Sequence, residues 1–199
     1  MPNALDRKIQ KIYAALGVVV SDHLTTANIK PQITKTDTGF IFEMNFDEGT
    51  SEIELENAVT LLVTNIASIK DHFKVWCGNN HVTFTGDELI NNNLDVAIIH
   101  DLWNIDKHAK LTSQPRSGFT PTLQGLQRGM VLSGQSTANI SVNLTGEDSQ
   151  VTTDGSFQFI ITGQVIDENG KIRGDFTEIC TKAIDAWLNL LKSTGVPIS

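Results

Sequence analysis

The segment His100-Asp101-Leu102-Trp103-Asn104-Ile105-Asp106-Lys107-His108 packs two of the chain's five histidines, two aspartates and a lysine into a short stretch. Imidazoles and carboxylates are the side chains that exchange protons near neutral pH, so chemistry is sought here first. The apolar spacing predicts a helix, and its side chains can be sorted at ~100° per residue. With His100 at zero, Asn104 falls near ~40°, His108 near ~80°, Asp101 near ~100° and Lys107 near ~340°, which makes one polar face. Asp106 falls near ~240°, among Ile99, Leu102 and Trp103 on the apolar face. A carboxylate there is costly to bury unless it is paired. Three readings stay open for it: a structural pin against a cation or helix N-terminus, a residue near solvent at the helix end, or a member of a site. His100 and His108 lie two turns and about 12 Å apart along the axis, too far to share one metal ion. The helix therefore implies no metal, and nothing in the sequence implies a cofactor. A third histidine, His72, flanks the preceding long helix beside Asp71. If the two helices pack antiparallel, either residue could approach the Asp106 region. No catalytic residue is assigned; the candidates are His72, His108 and Asp106, and the wider polar network adds Asp71, His100, Asn104 and Lys107.

The elements that must hold these residues are legible in outline. Residues 5 to 24 carry Leu5, Ile9, Ile12, Leu16, Val19 and His23 at near-helical spacing, weakened by Gly17 and Val18-Val19-Val20. Pro31 closes a loop, and Gly39 to Phe46 alternates large apolar residues as a half-buried strand does. A capping box, Ser51 to Glu54, starts a helix over 52–77 whose Leu55, Ala58, Val59, Leu62, Ile66, Ile69, Phe73 and Trp76 share one arc. It should stop at Cys77-Gly78-Asn79-Asn80, where glycine or asparagine accepts a left-handed cap. Asp87 to Ile90 reads as a helical turn, Asn91-Asn92-Asn93 as a solvated joint, and 94–111 as the next long helix, closed by Pro115 and Gly118.

From there the texture becomes β-rich. Phe119 to Leu126, Gly129 to Leu132, Ala138 to Leu144 and Phe157 to Ile166 read as strands, separated by turn signals at Gly134, Gly146-Glu147-Asp148 and Asp154-Gly155. Asn169-Gly170 is a tight-turn dipeptide. Asp175-Phe176-Thr177-Glu178 opens a last helix over 175–193 with Phe176, Ile179, Cys180, Ala183, Ile184, Trp187 and Leu191 on one stripe. The expected fold is α+β: two long packed helices, a mostly antiparallel sheet and a C-terminal helix. It forms a single domain over 1–199, helical to about 115 and β-rich from about 116.

Composition removes other classes. With 199 residues, 40% hydrophobic and 19% charged, the chain is globular rather than disordered. A net charge of -8 opposes attachment to nucleic acid or anionic membranes. The polar N-terminus lacks a secretory h-region and no apolar run is long enough to span a bilayer, so a cytoplasmic protein is expected. Cys77 and Cys180 form no paired motif and read as two reduced, partly buried thiols. The sequence contains no G-x-S-x-G nucleophile elbow, phosphate-binding glycine loop or Cys-x-x-Cys; the glycines at 118, 125, 129 and 134 read as turns or bulges.

Ser68-Ile69-Lys70-Asp71-His72 followed by Leu102 to Leu111 resembles a widespread class of uncharacterised bacterial proteins. In that class an RSALDH-like helix precedes an LxNxDKHRxL helix and a β-rich C-terminal half. The resemblance covers residues 50 to 112 in motif and the remainder in layout, and carries no assigned activity. Its histidine-bearing helix is also similar to HEPN-type proteins, some of them metal-independent ribonucleases using an arginine and a histidine. Here Ala67 stands at the arginine position, His72 at the histidine, and Ala109 at the arginine after the D-K-H triplet. Losing the cations that stabilise a phosphoryl-transfer transition state argues against nuclease chemistry. The expectation is thus a noncatalytic interaction or ligand-binding domain with a structural N-x-D-K-H network, whose partner is a protein or small molecule and which can form homo-oligomers. Two rivals stand beside it: a HEPN-related hydrolase or ribonuclease using His72 and His108, and a small-molecule binder in the β-rich half.

Overall fold

The computed structural model of the chain describes residues 5, 7–12, 24–36, 39–45, 52–108, 110–111, 113–133, 140–145 and 148–197. Helix α1 (residues 7–12) begins the described chain, with Leu5, Ile9 and Ile12 buried as its spacing requires. The continuation of that helix over residues 13–23, and the Ser51 cap, lie outside the described residues, and Leu24, the expected end of the helix, instead opens a strand.

The predicted 52–77 helix is two: α2 (Glu52–Ala67) and α3 (Ile69–Asn80). They meet at Ser68, whose hydroxyl donates to the Thr64 carbonyl oxygen at 2.7 Å, with the Asn65 carbonyl oxygen as an alternative acceptor at 3.1 Å. A hydroxyl bonded back to the preceding turn competes with the backbone ladder and bends a helix. The predicted arc is nonetheless the buried one, with Leu62, Ile66, Ile69 and Phe73 almost wholly enclosed. Helix α3 ends at Asn80, and His81, rather than a glycine or asparagine, takes the left-handed position (φ 55°). The predicted turn at 87–90 is a full helix, α4 (Gly86–Asn92), and α5 runs Leu94–His108. Asn93 joins them: its Oδ1 accepts the Val96 N–H at 3.0 Å, the hydrogen bond of an N-cap.

The sheet is antiparallel throughout and built on one long strand. Strands β1 (Leu24–Thr36), β2 (Gly39–Asn45), β3 (Thr122–Ser133), β4 (Ile140–Thr145), β5 (Asp148–Ile166) and β6 (Ile172–Asp175) join in the order β2-β1-β5-β3, with β4 and β6 also on β5. Pro31 does not close a loop. It pairs opposite Met44 at the point where β1 leaves β5, its partner over Leu24 to Ile29, and takes up β2. A residue without an N–H is best tolerated where a ladder is being handed over. Asp154-Gly155 likewise does not reverse the chain. Strand β5 continues through it, exchanging β4, paired to Thr153, for β3, paired from Ser156. The turn signals there mark a change of partner. Asn169-Gly170 does turn the chain, linking β5 to a short strand, β6, that the sequence did not disclose.

Helix α6 (Phe176–Ser193) closes the fold, its first turn capped by Asp175 accepting the Glu178 N–H at 3.0 Å. Every residue of its predicted stripe is buried. It packs on α5 and β5, while α2 packs on α5 and touches α6 and β3. Trp187 and Phe73 centre the core, 6.5 Å apart edge-on, with Phe84 5.5 Å from Phe73. Gly86 belongs to this packing, because a Cβ there would stand 2.5 Å from the Phe84 ring and 3.3 Å from Trp187.

Candidate functional site

The α5 cluster divides differently from its helical wheel. His100 and Asp101, expected on the polar face, are 3% and 2% exposed, whereas Asp106, expected on the apolar face, is exposed together with Lys107 and His108. A single-face reading assumes one wet side. Helix α5 has α2, α4 and α6 packed around it, so Val96 through Leu102 are all buried irrespective of angle. Asp106, two residues from the helix end, receives among the described residues a long 3.4 Å contact from the Thr60 hydroxyl. Asn104 is half-buried.

Asp101 is the structural pin of this helix. Its Oδ1 accepts the Arg116 N–H at 3.2 Å, and its Oδ2 accepts the Ser117 N–H at 2.8 Å and lies 2.7 Å from the Ser117 hydroxyl. That hydroxyl also stands 2.8 Å from the Phe119 carbonyl, so its one proton serves one acceptor at a time. The carboxylate thereby ties the centre of α5 to the loop leading into β3. Above it Lys70 of α3 bonds Asp87 of α4 at 2.7 Å, and Arg116 reaches the same carboxylate at 3.6 Å, which helps to hold Asp87 below its ordinary pKa. These ion pairs are half-exposed and stabilise weakly.

His100 sits inside this arrangement, and its Nε2 is buried without a hydrogen-bond partner among the described residues. Burial lowers its pKa to about 3, assisted by the Lys70 and Arg116 charges and opposed by Asp87. It is therefore neutral at pH 7 and does not exchange protons there. Its ring packs edge-on against Trp103 at 5.9 Å, and Lys107 Nζ lies 5.0 Å from the Trp103 ring centroid. Trp103 thus separates the buried histidine from the exposed helix end.

His72 faces elsewhere. It is half-buried, with its pKa lowered by burial and by Lys8 and Lys11 of α1, against the raising effect of Asp71. Lys8 Nζ donates to Asn65 Oδ1 at 2.8 Å beside it. Asp71 is exposed in the first turn of α3. Among the described residues no hydrogen bond or ion pair joins His72 to His108, and no three His, Cys, Asp or Glu side chains gather to hold a metal ion.

A second polar assembly lies on the sheet. Leu123, Leu126, Ile161 and Val165 point toward the helices, so the alternate residues of β3 and β5 face solvent. There the register aligns Asp175 of β6 with Gln164 of β5 and Gln124 of β3, and sets Gln127 against Thr162 in the next row. Between those rows Gly125 and Leu126 oppose Gly163 alone, a β-bulge with Gly125 at φ 63°. A Cβ at Gly163 would stand 2.8 Å from Leu126 Cδ2, so Leu126 would have to shift to admit it. The bulge bends the sheet, and these residues line a cleft of about 490 Å³.

The hairpin joining β5 to β6 is held in place. The 2%-exposed Asp167 side chain accepts the Asn169 and Lys171 N–H groups at 2.9 Å and is gripped by Arg173 Nε and Nη2 at 3.0 and 2.7 Å. The Lys171 N–H contributes most to holding this carboxyl below its usual pKa. Arg173 also lies 4.5 Å over the Phe119 ring, and Glu168 accepts the Thr120 N–H at 2.8 Å. On the other side the Thr177 hydroxyl donates to the Ile161 carbonyl at 2.6 Å, anchoring α6 on β5. None of the glutamines was visible as a site in sequence, because isolated amides on a solvated strand face carry no spacing signal; the glycine at 125, read as a turn or bulge, was the only trace. Among the described residues no helix is long and apolar enough to cross a membrane. Comparison with protein-family models, with curated proteins and with solved structures finds no match to this chain.

Proposed function

We propose that the protein is a noncatalytic ligand-binding domain whose ligand is a small molecule seated in the cleft over the β3 bulge. The observation that carries this reading is the alignment of Asp175, Gln164 and Gln124 across three adjacent strands, beside Gln127 and Thr162, around a concavity of about 490 Å³. That volume is of the size small-molecule sites use, and convergent polar groups on rigid strands supply orientation without reorganisation. The lining includes no histidine, cysteine or lysine, which favours binding over proton or acyl transfer. The helical half then serves as scaffold, with Asp101 joining it to the strand that carries the bulge. The resemblance of the N-x-D-K-H helix supports a bacterial setting.

The test is a small-molecule fragment screen read by amide chemical shifts on the 15N-labelled chain. The expected result is that hits move the resonances of residues 124–127, 162–164 and 175, and that Gln124→Ala with Gln164→Ala abolishes those shifts while leaving the melting temperature unchanged. A screen in which every hit maps to the α5 cluster, or in which none reaches the cleft, overturns the reading.

A further inference from the structure

We infer that the cleft takes a neutral, polyhydroxylated ligand, a saccharide, laid along the Asp175–Gln164–Gln124 row; this rests on the reading of the cleft as the binding site. The chemistry of the lining selects the class. Each glutamine carboxamide offers two donors and an acceptor oxygen in one plane, and the Thr162 hydroxyl both donates and accepts. Vicinal hydroxyls have the same dual character, so adjacent ring hydroxyls can bond one amide oxygen and one amide nitrogen at once. Asp175 adds an acceptor at the end of the row; its Oδ1 already holds the Glu178 N–H, which fixes the carboxylate and leaves Oδ2 to face a hydroxyl.

Other ligand classes fit worse. The lining holds no lysine, arginine or histidine to neutralise an anion, and Asp175 together with a net charge of -8 repels one. It also holds no aromatic or large aliphatic side chain, so a lipid or a flat heterocycle would desolvate the amides without replacing their hydrogen bonds. A single carboxylate is too few ligands for a divalent cation.

Dimensions agree. Neighbouring strands stand about 4.8 Å apart, so a row across β6, β5 and β3 spans about 10 Å. That reach suits a sugar ring and its glycosidic neighbour. The paired glycines serve the same end. Gly163 lies on the inward face, where the lack of a side chain makes room for Leu126 beneath the bulge, and the bulge at Gly125 leaves backbone polar groups outside the ladder, available to a hydroxyl.

The experiment is a titration of the 15N-labelled full chain with glucose, galactose, mannose, N-acetylglucosamine and their disaccharides, with N-acetylneuraminic acid as the anionic comparison. The expected result is saturable shifts at residues 124–127, 162–164 and 175 with at least one neutral saccharide, weakened at least tenfold by Gln164→Ala and by Asp175→Asn. Asp175→Asn keeps an N-capping side chain, so an unchanged melting temperature certifies the fold. Neuraminic acid should bind at least tenfold more weakly than the best neutral sugar. The saccharide assignment is overturned if no neutral sugar shifts those resonances, or if the anionic sugar binds equally well. Should other fragments still reach the cleft in that case, the ligand class alone is wrong; should nothing reach it, the binding site is wrong as well.

Discussion

Lowering the pH from 7 to 5 should weaken the folded state through one buried side chain. His100 has a pKa of about 3 in the fold against 6.5 as a free imidazole. Over the window between those values the unfolded chain binds a proton that the folded chain refuses, so stability falls as pH falls, beginning near 6.5 and levelling off near 3. Integrating that linkage from pH 7 to 5 with RT of about 0.59 kcal/mol gives a loss of about 2 kcal/mol from His100 alone. The assay is urea denaturation of the wild type and of His100→Gln at both pH values. Whatever stability the variant begins from, the readout is the difference in pH dependence, which should be about 2 kcal/mol smaller in His100→Gln. The His100 ring resonances should also stay in their neutral position through this range. Equal pH dependence in the two proteins, or a His100 resonance titrating near 6.5, would refute the burial argument.

Five further outcomes follow from the structure. Asp101→Asn should cost about 2–3 kcal/mol in chemical denaturation, because two backbone N–H groups and a hydroxyl lose their charged acceptor; Asp106→Ala, exposed at the helix end, should stay within about 0.5 kcal/mol of wild type. Gly86→Ala should lower the melting temperature through a cost of about 1–3 kcal/mol, as Phe84 and Trp187 cannot both keep their places. Both cysteines are buried with their thiol pKa values raised by burial, so Ellman's reagent should react with Cys77 and Cys180 only after denaturant is added. Acid should also loosen the β5–β6 hairpin: the stabilisation from the Asp167 carboxylate is complete above its unfolded pKa near about 3.9 and is lost as pH falls through the lower folded value, and amide exchange at Asn169 and Lys171 reports it.

The α+β class, the buried arc of α2 and α3, and the whole stripe of α6 were legible because each rests on local periodicity that packing then reinforces. Partner identity was not legible. Pro31 and Asp154-Gly155 carry strong loop signals, and in the fold they mark places where a strand changes neighbours, which for Pro31 depends on a strand more than a hundred positions away and for Asp154-Gly155 on which of two upstream strands pairs with β5. The kink at Ser68 turns on one hydroxyl choosing between two carbonyls, a competition that apolar spacing does not register. Within α5 the segment was correctly singled out as polar, yet the residue that matters to the scaffold is Asp101 rather than Asp106. The difference is set by three helices surrounding the first two-thirds of α5 and leaving its last turn in solvent. Asp87, Lys70, Arg116 and Ser117 join His100 and Asp101 only through tertiary packing. The cleft is further still from sequence, since Gln124, Gln164 and Asp175 meet by strand register across a bulge.

The central claim is that the α5 cluster is scaffold and the bulged sheet is the binding surface, and mapping ligand-induced amide shifts on the wild-type chain tests it most directly. The account predicts that bound neutral saccharide moves residues 124–127, 162–164 and 175, leaving His100, Asp101 and the 106–108 helix end unperturbed. Shifts centred on Asp106, Lys107 and His108, with the cleft silent, would contradict it.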